Sequence, residues 1–145
     1  GLGARELCDD EEVVPVRGQI IYIEQDPGFG RFDQRPENLI YTIPRRDVTV
    51  LGGTAQRGDW HGEVRESDTV EILEKCSVLW PELDRSKIVG KAVGLRPSRS
   101  EVRLEVDRSS GKTVIHNYGH GGAGVTLSWG CADEVVALVS RMNQQ

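Results

Sequence analysis

The residues best suited to chemistry lie in one stretch, TVIHNYGHGGAGVTLSWGCADEVVALV, residues 113–139. A β-branched run, Thr113 to Ile115, leads through His116, Tyr118 and His120 into Gly119, Gly121, Gly122 and Gly124, and then into an apolar helical pattern. Glycine lets backbone take positive φ and lets a ligand touch the main chain. A helix N-terminus adds unpaired N–H donors and partial positive charge. Together they suit a flat or anionic ligand. Gly119-x-Gly121-x-x-Gly124 formally matches the dinucleotide pattern GxGxxG. The full fingerprint needs another strand with an acidic residue about 20 positions on, and the sequence ends at Gln145. The turn is therefore not expected to open the first βαβ unit of a Rossmann domain. The plainer reading is a helix start packed closely on its strand.

His116 and His120 have the i, i+4 spacing of a helical metal pair, but the glycines around them argue against a helix there. With no acidic or cysteine partner nearby in sequence, hydrogen-bonded structural histidines are expected, and no metal. Arg96 precedes Pro97 in GLRPSRSEVRLE, where the backbone is held extended. A guanidinium held this way can present its planar fork to a carboxylate; a surface or interdomain ion pair is the alternative. Tyr41, in an apolar strand pattern, reads by default as a core aromatic with its hydroxyl at the edge. Gly28 and Gly30 read as turn residues.

The elements that must position these groups alternate in type. GLGARELC reads as a turn into a short helix, followed by the acidic loop DDEE. Val13, Val14, Ile20, Ile21 and Ile23 mark a strand. QDPGFGRFDQRPEN is a long polar loop, and such loops are usually functional or mobile. A hairpin follows, Leu39–Ile43 and Val48–Leu51. Ser67 or Asp68 is expected to cap a helix whose stripe comprises Val70, Leu73, Cys76 and Leu79 or Trp80. KIVGKAVGLRP is extended, and EVRLEVD and TVIHNY are strands. The final helix, from about Gly124 to Arg141, carries two apolar stripes: positions 125, 129, 132, 136 and 139, and positions 131, 135, 138 and 142. Two stripes imply burial against more than one partner.

Bulk properties narrow the function classes. The 145 residues are 37% hydrophobic and 28% charged, enough for a real core. A net charge of -5 and a pI near 5.2 argue against a nucleic-acid grip, which needs clustered Lys and Arg. No apolar run reads as a membrane span, no signal peptide opens the sequence and no SKL-type tripeptide closes it, so a cytoplasmic location is expected. Cys8, Cys76 and Cys131 are scattered, without CxxC spacing, as small core thiols in a reducing compartment would be. The first residue is not Met and the chain starts in mid-pattern, as a fragment or processed product would.

VIHNYGHGGAGVTLSWGCADEVV closely resembles the signature near the end of the D-amino-acid oxidase family. GLRPSRSEVRLE, PVRGQIIYI, YTIPRRDVTVLGGTAQRGDW and the opening GLGAREL resemble other blocks of that family, in its order. The resemblance covers nearly the whole chain, but the FAD-binding GxGxxG turn that begins the family's longer chain has no counterpart here. It implies a mixed α/β fold: part of an FAD-binding Rossmann-like domain in residues 1–10 and 93–145, and part of an antiparallel substrate domain in 11–92.

The same resemblance implies the site. Arg96 falls on the arginine that pairs with the substrate carboxylate, Tyr41 on a tyrosine bonded to the same group, and Gly122 on the glycine whose carbonyl accepts from the substrate amine. Gly121, Gly124, Val125 and Thr126 fall on residues that wrap the flavin. Arg96 and Gly122 also border the cofactor, as does Gly1. Glu37 stands where animal members carry a lid-loop tyrosine. The implied reaction is hydride transfer from Cα of a D-amino acid to FAD, giving an imino acid that hydrolyses to a 2-oxo acid and ammonia. Oxygen then yields hydrogen peroxide, and no side-chain acid or base is required. D-aspartate oxidase is the nearest alternative. That branch carries an arginine at the position of Ala55, so neutral substrates are expected; Arg57 or Arg35 would have to supply the second cation for a dicarboxylate. An inactive fragment that needs a complementary N-terminal chain is the other alternative, and a homodimer is an open assembly.

Overall fold

β-Branched residues shape most of the chain. In the computed structural model, residues 1–33, 35 and 39–142 are described. They form helix α1 (Ala4–Leu7), strands β1 (Val14–Ile23), β2 (Arg31–Asp33), β3 (Ile40–Pro44), β4 (Thr49–Gly52) and β5 (Gln56–Arg57), and helix α2 (Glu66–Leu79). A 3-10 turn at Arg85–Lys87 leads into β6 (Ile88–Asp107), β7 (Val114–His120), a second 3-10 turn (Gly121–Ala123) and α3 (Gly124–Met142). The chain divides into two units. The first contains Gly1–Val16 and Arg96–Gln145, and the second Arg17–Leu95.

In the second unit, β2, β3, β4 and β1 pair antiparallel in that spatial order. The registers Tyr41↔Gly52 and Ile21↔Leu51 bring β3 and β1 onto opposite sides of β4. Helix α2 covers β3 and β4. Its buried positions Thr69, Ile72, Leu73 and Cys76 follow the spacing of one helical face. Ile72, Leu73 and Cys76, with Ile21, Ile23, Ile40, Leu51 and Trp80, make the hydrophobic core. Each fully buried Ile or Leu there is worth about 1.5–3 kcal/mol.

Three sequence expectations fail in this unit. Val70 is 46% exposed and lies off the buried stripe, where Ile72 belongs instead. Neither Ser67 nor Asp68 caps α2; Arg65 is the N-cap and makes no side-chain cap bond. Part of the expected polar loop pairs as β2, with Phe32 opposite Tyr41.

Asp68 is drawn away from the cap by Arg17, whose side chain is fully buried. Every donor of that guanidinium is satisfied. Nε donates to the His61 carbonyl, Nη1 to Gln56 Oε1 and Asp68 Oδ2, and Nη2 to Gln19 Oε1 and the Glu63 carbonyl. Gln19 in turn donates to the Arg65 carbonyl and Thr69 Oγ1. β1, the loop after β5 and the first turn of α2 are thus held by one cation.

In the first unit, β6 pairs antiparallel with β7, with a register shift between Ser98 and Arg103. His116 and Tyr118 alternate with exposed Asn117 and so share the buried face of β7. Helix α3 packs on β7. Its stripe at 131, 135, 138 and 142 is half-buried. The other stripe is bare, with Val125 90%, Trp129 83% and Val136 64% exposed. One expected partner face is therefore met within the described residues and the other is not. The expectation that no apolar run reads as a span also needs correction. Gly121–Met142 is long and apolar enough to cross a membrane by length and composition. Asp133 and Glu134 stand in its middle, which a lone span tolerates only at a cost.

Asp10 ties the first unit together. Tyr118 donates to its Oδ2 at 2.8 Å and Arg99 Nε at 2.9 Å, while Arg103 Nη1 donates to the Tyr118 hydroxyl at 2.7 Å. Burial pushes the Asp10 carboxyl up, but the bonds from Tyr118, Arg99 and the Glu12 amide outweigh it and hold the group below its ordinary value. Asp107 is held down to about 2 by the Ser109 amide and hydroxyl, then by His116.

Two predictions follow from these networks. Arg17→Leu leaves Asp68 buried without its counter-ion, bonded only to Gln56, and should lower stability by roughly 3–5 kcal/mol in a urea titration of the complete polypeptide. Adding Asp68→Leu to Arg17→Leu should recover much of that loss. The acid limb carries the second. A depressed native carboxylate stabilises the fold above its unfolded value of about 3.9. That contribution is lost as pH falls, for Asp107 through about 2. Asp107→Asn should therefore lower Tm at neutral pH and flatten its decline below about pH 4, read by circular dichroism.

Candidate functional site

The glycine stretch folds as a strand, a tight turn and a helix. β7 ends at His120, the turn Gly121–Ala123 follows, and α3 begins at Gly124. Gly119 and Gly121 take φ of +88° and +57°, which only glycine adopts without strain. Gly122, Gly124, Val125 and Thr126 are exposed at the helix mouth. The first backbone N–H groups of α3 therefore lie at an exposed helix mouth, with the positive end of the helix behind them.

Arg96 reaches this mouth from β6. A Cβ added to Gly122 would lie 3.4 Å from Arg96 Cδ and 3.8 Å from its Nε. Arg96 and Gly122 are thus brought together, beside Gly121, whose own Cβ would meet Ser98 at 3.6 Å. A guanidinium, an exposed glycine turn and a helix N-terminus converge on one place. These features fit a flavin, whose flat ring needs a surface without side chains and whose electron-rich end favours N–H donors. Gly1 is exposed ahead of α1, where its carbonyl accepts from the Ala4 amide.

Tyr41 belongs to the other unit, on β3. Its ring lies over the β4 backbone, so that a Cβ at Gly52 would stand 2.1 Å from Tyr41 Cζ. Only glycine fits there. The Cys76 thiol donates to the Tyr41 and Gly52 carbonyls, and burial pushes that thiol up to about 12. Ala55 is exposed. Arg35, one candidate for a second cation, is already forked onto Asp33 through Nε and Nη2. Glu37 lies outside the described residues.

Both histidines are hydrogen-bonded. His116 Nε2 lies 3.3 Å from Asp107 Oδ2 and His120 Nε2 lies 3.3 Å from Cys131 Sγ. Among the described residues no three His, Cys, Asp or Glu side chains gather as a metal site. The cysteines depart from the expectation of core thiols. Cys76 is buried, but Cys8 and Cys131 are partly exposed and each faces an imidazole.

Sequence reasoning missed the Asp10–Tyr118 network and the Arg17 hub. A signal for the second was present: Arg17 and Gln19 alternate within a strand of β-branched residues, where a charge demands partners. No local signal joined Cys8 or Asp10 to residues about a hundred positions away.

Known proteins resemble this chain over nearly its whole length. The profile of the FAD dependent oxidoreductase family matches residues 1–138. The D-amino-acid oxidase of Rubrobacter xylanophilus is 48% identical over 142 residues, 95% of this chain and 43% of the relative. That of Dictyostelium discoideum is 46% identical, over 97% of this chain and 42% of the relative. The human D-aspartate oxidase is 39% identical, again over 97% and 42%. The chain thus spans less than half the length of these relatives. In fold it is similar to the crystal structure of glycine oxidase from Bacillus cereus, with a TM-score of 0.73 at 22% identity over 92% of this chain and 37% of that one. The flavin-compatible helix mouth and these matches lead to one conclusion: the chain belongs to the FAD dependent oxidoreductase family that includes the D-amino-acid oxidases.

Proposed function

We propose that this protein oxidises D-amino acids, neutral ones preferred, to 2-oxo acids, ammonia and hydrogen peroxide. The observation that carries this reading is the packing of Arg96 against Gly122 at the mouth of α3. FAD, when bound, supplies the two-electron acceptor for the substrate Cα–H bond. The chain's own residues orient the substrate and tune charge. Arg96 holds the carboxylate with its fork, and the Gly122 carbonyl accepts from the amine. Together they fix which face of Cα is presented. Tyr41 adds a hydrogen bond to the carboxylate, an assignment that rests on the family resemblance. Amides of the first turn of α3, at Gly124, Val125 and Thr126, stabilise negative charge developing beside them. Residues 1–10 and 93–145 serve the cofactor in this reading, and 11–92 the substrate.

Neutral substrates are favoured because the position that carries an arginine in the D-aspartate branch is Ala55, and because Arg35 is engaged by Asp33. D-Ala or D-Met should show a higher kcat/KM than D-Asp in a peroxide assay of the complete polypeptide. A preference for D-Asp would instead mean that another basic residue reads the side chain.

Removing one partner of a dry, hydrogen-bonded charge pair costs roughly 2–5 kcal/mol. Arg96→Leu should therefore reduce kcat/KM by about 30-fold or more, with flavin absorbance retained. Arg96→Lys should recover only part, since a point charge cannot reproduce the fork. Tyr41→Phe should cost about 0.5–1.5 kcal/mol, one hydrogen bond. An Arg96→Leu variant that keeps its flavin and loses less than threefold would overturn the carboxylate assignment.

A further inference from the structure

We propose that Cys8, His116 and Asp107 form a peroxide-reactive thiol site in which Cys8 is the nucleophile. Cys8 caps the C-terminal end of α1 and is a partly exposed free thiol. Its Sγ lies 3.7 Å from His116 Nδ1, within hydrogen-bond range for sulfur. The opposite ring nitrogen, Nε2, is 3.3 Å from Asp107 Oδ2. The carboxylate can only accept, so it selects the tautomer with the proton on Nε2. The Nδ1 lone pair then faces the thiol. This is the order of a nucleophile, a base and the group that orients the base.

The ring cannot swing away. His116 is only 7% exposed and meets the Tyr118 ring edge-on, with centroids 5.6 Å apart. Asp107 remains ionised across the neutral range, because the Ser109 amide and hydroxyl bond it in addition to His116. None of these three groups has a role in the flavin or substrate assignments above.

Access and selectivity come from the cavity onto which Cys8 opens. It measures about 590 Å³ and is lined by Cys8, Arg99 and Arg103 among several carboxylates, including Asp9, Glu11 and Glu12. An acidic rim repels anionic oxidants and bulky anionic disulfides, and admits a small neutral molecule. Hydrogen peroxide meets that description. The Sγ proton passes to His116 Nδ1, and the thiolate attacks one peroxide oxygen. An S–O bond forms as the O–O bond breaks, and the departing hydroxide takes the proton from Nδ1. Cys8 is oxidised to a sulfenic acid, peroxide is reduced to water, and the imidazole is restored.

The other cysteines provide internal comparison. Cys76 is fully buried, with its thiol pushed up to about 12, and should be inert. The test adds hydrogen peroxide to the complete polypeptide with a cyclic 1,3-dione that captures sulfenic acids, and follows each cysteine peptide by mass spectrometry. Because the oxidant is added, the outcome does not depend on turnover of any D-amino acid. Cys8 should acquire the adduct at least about tenfold faster than Cys76, and Cys8→Ser should remove it. His116→Gln should slow adduct formation at Cys8 by about tenfold or more, and Asp107→Asn by about threefold or more, in line with the loss of a positioned base and of its orienting group. Asp107 is at the surface, so Asp107→Asn decides the matter alone if His116→Gln fails to fold. A Cys8 rate within twofold of Cys76, or one that the folded variants leave unchanged within twofold, would overturn the assignment.

Discussion

A permanently charged guanidinium with all of its side chain out of water sets the terms for the second unit. Arg17 cannot shed its proton to escape burial, so each of its five N–H donors must find an acceptor. Two are side-chain oxygens of Gln56 and Gln19, one is the Asp68 carboxylate, and two are backbone carbonyls of His61 and Glu63. The carbonyls matter most for shape. A loop without regular structure is pinned to β1 at two points, and that loop delivers the first turn of α2. Desolvation offsets much of the Coulombic gain of such a pair, so its larger effect is to make one arrangement acceptable and its neighbours costly.

That constraint propagates by packing. With its first turn tied to Arg17 and Gln19, α2 lies across β3 and β4, and Cys76 meets the carbonyls of Tyr41 and Gly52. Tyr41 then rests on a backbone stripped of side chains, where even a methyl group at Gly52 would overlap its ring. The orientation of a proposed substrate residue is thus coupled to a cation on another strand through a helix and a glycine. The links are the hydrogen bonds of Arg17 and Gln19, the packing of α2 on the sheet and the Cys76 thiol bonds.

The first unit solves a different problem. There β6 pairs with β7, and polar bonds fasten the preceding segment to both. Asp10 accepts from both Arg99 and Tyr118, so the segment before β1 is fastened to both strands. Helix α3 is held on one side by β7, with its other stripe in solvent. The turn ahead of α3 owes its open geometry to β7 and β6 together, since Arg96 and Ser98 supply the neighbours of Gly122 and Gly121.

Local pattern alone determined much of this. Runs of β-branched residues marked β1, the β3–β4 hairpin and β7, because such side chains fit a pleated strand. The glycines between His116 and Val125 disclosed the tight turn ahead of α3, because their spacing answers a steric demand that other residues cannot meet. The two stripes of α3 were readable for the same reason, since a 3.6-residue period fixes which side chains share a face. What the tertiary structure alone decided involves partners distant in sequence. Val70 and Ile72 are equally apolar, and only the approach of β3 and β4 selected Ile72. Asp68 had the chemistry of a cap and became a counter-ion because Arg17 arrived beside it. Cys8 and His116 are 108 positions apart, and no periodicity links them. Hydrophobic periodicity and backbone sterics act over a few residues, whereas the pairing of buried charges and thiols is settled only when the chain folds back on itself.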